Sequence, residues 1–340
     1  MAAPQPLCKV VLANNIAKNL LQEVAAGIKA LERPPQLHGF LANRDPAGRM
    51  YADWTAKTCK ENGIEFTLNE VNAEELEEAL RQANKDDEID GIIVYYPVFN
   101  SSRDRTLQWT VSLYKDVEGL SPQLISNMYQ NIRFLDPPTN SIKSILPCTP
   151  LAIIKILEHL HVYNNILDYG KRLFGRRITV INRSEVVGRP LAALLANDGA
   201  EVYSVDVTGV QQFTRGSGLK KQKHEVIDKP DLALRDVLRI SDVIISGVPG
   251  DKYKVPTELV RDGAICINFS SEKNFNPDIK EKASIYVPAI GKVTIVVLMR
   301  NLLRLMENRP RTNGSTNGSH PRGRSETGAA TPEVRVENND

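Results

Sequence analysis

The chain is poor in the features that would place it outside ordinary globular proteins. Cysteine is scarce: there are 4 in 340 residues (Cys8, Cys59, Cys148 and Cys266), with no paired spacing. A disulfide framework is therefore not expected, and neither is a metal site. Charge of one sign is not in surplus, with Lys+Arg 43 against Asp+Glu 41. That balance argues against a nucleic-acid or membrane-surface partner. No apolar run is long enough to span a bilayer. Residues 1–7 lack the charged-then-apolar order of a secretory leader, so the expected location is cytoplasmic.

What is present suits a soluble α/β protein of two domains. Hydrophobic content is 41%, ordinary for a chain with a real core. Ile16, Leu20, Leu21, Val24, Ile28 and Leu31 recur at helical spacing, which predicts an amphipathic helix over 10–31. Strands are expected at 36–41, 64–71 and 91–95, with helices at 50–62 and 73–84 between them. That alternation predicts a three-layer unit around a parallel sheet. Leu146-Pro147-Cys148-Thr149-Pro150 interrupts it. Two prolines around a Cys-Thr pair suit a stiff hinge, with a helix expected from Leu151 to His161. Beyond Asn308 the composition turns to Asn, Gly, Ser, Thr, Pro and Arg, which reads as a disordered tail.

The most informative stretch is 178–206. An apolar run, Ile178 to Ile181, leads into Asn182-Arg183-Ser184-Glu185-Val186-Val187-Gly188, then an Ala/Leu-rich helix, then a strand ending on Asp206. Strand, turn, helix, strand and terminal acid form a dinucleotide-binding unit. Phosphate is expected on free amides at the helix start, and ribose hydroxyls on the acid. The turn lacks the usual Gly-x-Gly-x-x-Gly, but Asn182 tolerates the left-handed backbone nearly as glycine does. An acid at 206 repels a 2′-phosphate and so favours NAD over NADP, although the Arg183 guanidinium could pair with that phosphate. Read as a plain strand-helix connection, the same turn would carry no ligand. Later strands are expected at 242–246 and 264–268, and a last apolar helix at 293–306.

Other residues admit two readings each. Tyr51 and Thr55 lie one turn apart on one helical face, with Trp54 nearby. They either pack a core or form an aromatic wall for a flat heterocycle. Lys115-Asp116-Val117-Glu118-Gly119 is an acidic loop that is by default solvated. Cys148 is either a nucleophile or buried packing.

Taken together, five segments resemble the methylenetetrahydrofolate dehydrogenase family. They are Asn43 to Pro46 with Tyr51, Lys115 to Gly119, Leu146 to Pro150, Arg183 to Pro190, and Pro288 to Thr294. The resemblance runs from about Ala13 to Leu305 and is strongest to the monofunctional, NAD-dependent fungal members. It implies an N-terminal α/β catalytic domain (1–149, completed by a C-terminal helix at 290–308) and a Rossmann-type NAD-binding domain (150–289). A cleft lies between them, and a tail follows at 309–340. It implies oxidation of 5,10-methylenetetrahydrofolate with NAD, and a homodimer. Tyr51 would stack on the folate, Glu118 would hold the pterin's amino edge, and Cys148 and Thr149 would line the hinge. Arg183, Ser184 and Gly188 would hold the pyrophosphate side, and Asp206 and Val207 the adenosine ribose. Gly247, Val248, Asn268, Phe269, Ser270, Ser271 and Thr294 complete the cofactor set.

The chain departs from the family's bifunctional members. Where they place Lys one turn after the Tyr, this chain has Thr55; where they have Gln in Val-Gln-Leu-Pro, it has Tyr95. A threonine hydroxyl is a poor substitute for a lysine that tunes proton transfer, so the hydrolytic cyclohydrolase step is expected to be missing. Two alternatives stand beside this: a bifunctional, NADP-linked enzyme, and a non-catalytic folate- or nucleotide-binding protein.

Overall fold

The computed structural model describes residues 8–309. In chain order the elements are β1 (Lys9–Val10), α1 (Ala13–Lys29), β2 (Gln36–Leu41), α2 (Pro46–Glu61), β3 (Glu65–Glu70), α3 (Leu76–Lys85) and β4 (Gly91–Val94). Next come α4 (Ser102–Thr110), α5 (Pro122–Tyr129), α6 (Cys148–His159), β5 (Arg177–Ile181), α7 (Gly188–Asn197), β6 (Glu201–Asp206), β7 (Gly209–Thr214) and β8 (Glu225–Asp228). The last are α8 (Leu234–Leu238), β9 (Val243–Ser246), β10 (Ile265–Asn268), β11 (Ile285–Val287) and α9 (Gly291–Asn308). All but Arg309 of the expected tail lies outside the described residues. Arg309 itself is anchored, its guanidinium on the Asp90 carboxylate and on the Ile89 and Asp90 carbonyls.

Two sheets organise the chain. A small parallel sheet has the order β3-β2-β4, and a larger one the order β1-β11-β10-β9-β5-β6-β7-β8. The larger sheet is mixed rather than parallel throughout, because β7 runs antiparallel to both of its neighbours, β6 and β8. Its middle strands, Val243–Ser246 and Ile178–Ile181, are buried along their length. Side chains shielded on both faces explain why these strands read as unbroken apolar runs.

Three expected boundaries shift for physical reasons. Residues 9–10 do not extend α1; they form β1, beside Ile285 and Tyr286 of the distant β11. The helix expected from Leu151 begins at Cys148, with Pro147 at its N-cap. Pro150 fits because the first helical turn has no intrahelical acceptor for its amides. The segment expected as a stiff hinge is thus also the start of a helix. Helix α2 begins at Pro46, where the Asp45 carboxylate caps the Ala47 amide at 3.1 Å. The C-terminal α9 returns to pack against α1 and α6, its apolar face continuous with the main core.

Candidate active site

The cofactor-type residues gather at the carboxyl edge of four neighbouring strands, β10, β9, β5 and β6. Strand order reverses between β5 and β9: β6 lies on one side of β5, and the next parallel strand on the other. Such a switch point opens a crevice above the strand ends. Asn182 takes φ +92°, the left-handed backbone expected of it. Its side chain spans the crevice, donating to the Gly247 carbonyl at 2.6 Å and accepting from the Ser184 amide at 2.9 Å. Gly188 cannot be another residue without moving this turn: a Cβ there would lie 1.8 Å from the Asn182 carbonyl oxygen. At Gly247 a Cβ would lie 1.9 Å from the Phe269 ring, so the ring rests directly on the backbone at the end of β9.

The helix start differs from the expectation of free amides. The Ser184 hydroxyl accepts from the amides of Val187 and Gly188, each at 3.3 Å. An arriving phosphate would share or displace that hydroxyl. Arg183 is also engaged. Its guanidinium donates to the Ser204 hydroxyl and carbonyl, the Thr208 hydroxyl and the Gly209 carbonyl, pinning the β6–β7 turn. Asp206 closes β6, one carboxylate oxygen on the Arg183 amide at 2.6 Å and the other on the Val207 amide at 2.7 Å. Both oxygens keep lone pairs for ribose hydroxyls. Val207 stands 99% exposed at the hairpin tip.

Asn268 is 1% exposed, and its amide bridges the carbonyls of Ser270, Glu272 and Pro288. Its place is to shape the loop, a task shared with Asn274, which the sequence reading missed. Asn274 accepts from the Ser246 hydroxyl and the Val248 amide and donates to the Val248 carbonyl. The Ser270 hydroxyl holds the same carbonyl at 2.9 Å. Ser271 is exposed, and Thr294 is buried in the first turn of α9.

A second cluster joins α2, the end of β4, the 115–121 loop and the start of α6. The rings of Tyr51 and Tyr95 meet edge to face at 6.0 Å. Thr55 is fully buried and donates back to the Tyr51 carbonyl at 2.8 Å. Tyr95 is 3% exposed, and its hydroxyl finds no hydrogen-bond partner among the described residues. Burial raises the hydroxyl pKa of both tyrosines, so both stay neutral.

The 115–121 loop wraps around Asp116, whose buried carboxylate accepts the amides of Glu118, Gly119 and Ser121. Glu118 accepts from the Val94 amide at 3.2 Å. Burial, and next the Asp116 charge, push its carboxyl up to about 8. Cys148, 7% exposed, donates to the Val117 carbonyl at 3.0 Å, and burial raises its thiol well above the usual range. It is therefore a neutral lining group rather than a thiolate. Asn301 on α9 bridges the Val117 and Leu146 carbonyls at 2.9 and 3.0 Å, tying α9 to the floor beneath Glu118. Thr149 is half-buried in the same first turn as Cys148.

The cluster thus offers the Tyr51 ring, backed by a buried Tyr95, with one carboxyl poised near neutrality and no lysine beside the tyrosine. Lys57, the nearest on α2, turns away and pairs loosely with Glu61 at 3.9 Å.

Comparison with known proteins agrees with this geometry. Residues 11–118 match the family described as tetrahydrofolate dehydrogenase/cyclohydrolase, catalytic domain, and residues 147–310 match its NAD(P)-binding domain. A methylenetetrahydrofolate dehydrogenase [NAD(+)] of Schizosaccharomyces pombe is 58% identical, over 89% of this chain and 94% of that protein. One from Saccharomyces cerevisiae is 52% identical, over 88% and 96%. The solved structure of the NAD-dependent 5,10-methylenetetrahydrofolate dehydrogenase from Saccharomyces cerevisiae superposes with a TM-score of 0.84 at 51% identity, covering 89% of this chain and 98% of that one.

Proposed function

The chain belongs to the tetrahydrofolate dehydrogenase/cyclohydrolase family, and from that premise we propose that it oxidises 5,10-methylenetetrahydrofolate to 5,10-methenyltetrahydrofolate without cyclohydrolase activity. NAD, when bound, supplies the hydride acceptor. The chain's residues fit that cofactor. Gly188 lets the helix start close tightly on the Asn182 turn, and the Asp206 carboxylate at the end of β6 stands where the ribose would lie.

The folate already carries a nitrogen lone pair that stabilises the cation left behind. The protein's task is to align two rings and exclude water rather than to supply a strong base. Tyr51 provides the aromatic wall, and the buried Tyr95 ring supports it edge-on. The Glu118 carboxyl holds the donor edge of the pterin. Cys148 and Thr149 line the start of α6 as neutral packing. Asp206 orients the adenosine ribose, and its charge disfavours a 2′-phosphate.

The observation that carries the absence of hydrolysis is the buried Thr55–Tyr95 pair. Neither side chain can place a positive charge beside the methenyl carbon, so a water there is not activated. Family membership also supports a homodimer assembled through the nucleotide-binding half, and a cytoplasmic location is the reading consistent with the sequence. The test of the activity is direct. Purified protein given 5,10-methylenetetrahydrofolate and NAD should form NADH in step with methenyl product; no NADH under saturating substrate sinks the reading.

A further inference from the structure

Away from the crevice, the 128–146 segment, α6, the 163–172 loop and α9 enclose a cavity of about 170 Å³. Tyr51, Glu118 and the cofactor turn do not line it. Its size limits what it could hold. One water needs only ~10–15 Å³, while sites that bury a drug-sized ligand run to ~300–1,000 Å³. A small polar molecule fits; a dinucleotide does not.

The lining is strongly cationic. Arg133, Lys143, Lys155, Arg172, Arg300 and Arg304 face two carboxylates, Glu158 and Asp198. Those carboxylates are already taken. Asp198 accepts from Arg133 at 2.6 Å and from the Tyr163 hydroxyl at 2.8 Å, and Glu158 from Lys155 at 2.7 Å. Arg300 turns to Glu23 on α1 at 2.8 Å. Arg172, Arg304 and Lys143 are left with no carboxylate partner among the described residues. The Arg304 Nε is shut from solvent with no hydrogen-bond partner, and Arg304 follows the like-charged Arg300 by one helical turn. A buried, unpaired guanidinium N–H beside another cation is costly unless something neutralises it. The planar fork of arginine matches the oxygens of an oxyanion such as phosphate, two N–H groups to two oxygens.

We propose that this cavity binds a small phosphate-type oxyanion, held by Arg304, Arg172 and Lys143, at a site separate from the cofactor crevice. The ion could be free phosphate or the head of a phosphate monoester, since the recognising chemistry is the same. The proposal does not rest on the dehydrogenase reading.

The experiment is thermal unfolding of the full chain in inorganic phosphate, glycerol phosphate or chloride at matched ionic strength. NAD is present at saturation to keep anions out of the crevice. Phosphate stabilises most proteins non-specifically, so wild type is compared with Arg304→Gln and Arg172→Gln, which share that background. Wild type should gain about 2 °C or more beyond both variants when the anion is well above its dissociation constant. A gain with inorganic phosphate alone identifies the free ion, and a larger gain with glycerol phosphate identifies the monoester. Arg172 is half-buried at the cavity, so its variant serves if Arg304→Gln does not fold. Equal gains in wild type and the folded variants overturn the proposal.

Discussion

Replacing Glu118 with glutamine should change how stability depends on pH. The Glu118 carboxyl is pushed from 4.5 up to about 8 by burial and the Asp116 charge. The folded state therefore holds a proton that the unfolded state has released. Between those two values the folded state binds more protons, so stability falls as pH rises. The favourable contribution is fully present below the unfolded value and is lost as pH climbs through the folded one. The slope is about 1.4 kcal/mol per pH unit and halves as the pH reaches the folded value, so the loss is about 2 kcal/mol between about pH 6 and about pH 8. Glutamine keeps the shape and an acceptor for the Val94 amide but has no proton to lose. Urea unfolding at a series of pH values should show wild type losing stability across this window, with Glu118→Gln nearly flat. The variant should equal or exceed wild type at the alkaline end. The same titration should appear in catalysis, with kcat/KM for the folate rising as Glu118 ionises and becomes a better acceptor for the pterin's donor edge. Parallel pH–stability curves for the two proteins would mean that the carboxyl titrates as an ordinary solvated one and that burial does not hold its proton.

Three further outcomes are expected. Asp206→Ser should raise the KM for NAD by roughly 10- to 100-fold with kcat largely kept, the worth of a charged acceptor on ribose hydroxyls, and initial rates with NAD and NADP should show the preference narrowing. Gly188→Ala should abolish tight NAD binding by calorimetry while the fold persists by circular dichroism, since its Cβ would strike the Asn182 carbonyl at 1.8 Å. Cys148→Ser should retain turnover within about 2-fold, because a serine hydroxyl can donate to the Val117 carbonyl as the thiol does; a loss of several orders of magnitude would give the sulfur a chemical role.

The nucleotide-binding half was largely legible because its central strands are buried on both faces and its turn must be built from a few residue types. Asn182 at φ +92° and Gly188 against a carbonyl are positions where backbone geometry selects the residue. Strands β7 and β8 carry no comparable signal. Their Gly-Val-Gln-Gln-Phe-Thr and Glu-Val-Ile-Asp segments are largely exposed or half-buried, and the pairing of β7 with β6 and of β8 with β7 fixes them. The same holds for β1, two residues defined by a partner far along the chain. In the cluster around Glu118, Tyr51 and Thr55 were visible from helical spacing, and Tyr95 from resemblance. That the two tyrosine rings meet depends on how α2 packs on the small sheet, which no local pattern states. Asn301 was within reach: a lone amide among the buried apolar residues of α9 must find partners, and it finds the carbonyls under Glu118.

One absorbance experiment tests both dehydrogenation with NAD and the lack of hydrolysis. Saturating 5,10-methylenetetrahydrofolate is offered with NAD and NADP side by side, and the methenyl product is then followed to its decay. NADH formation should be strongly preferred over NADPH, with methenyl product disappearing no faster than it does without protein. Preference for NADP together with protein-accelerated loss of the methenyl product would contradict it.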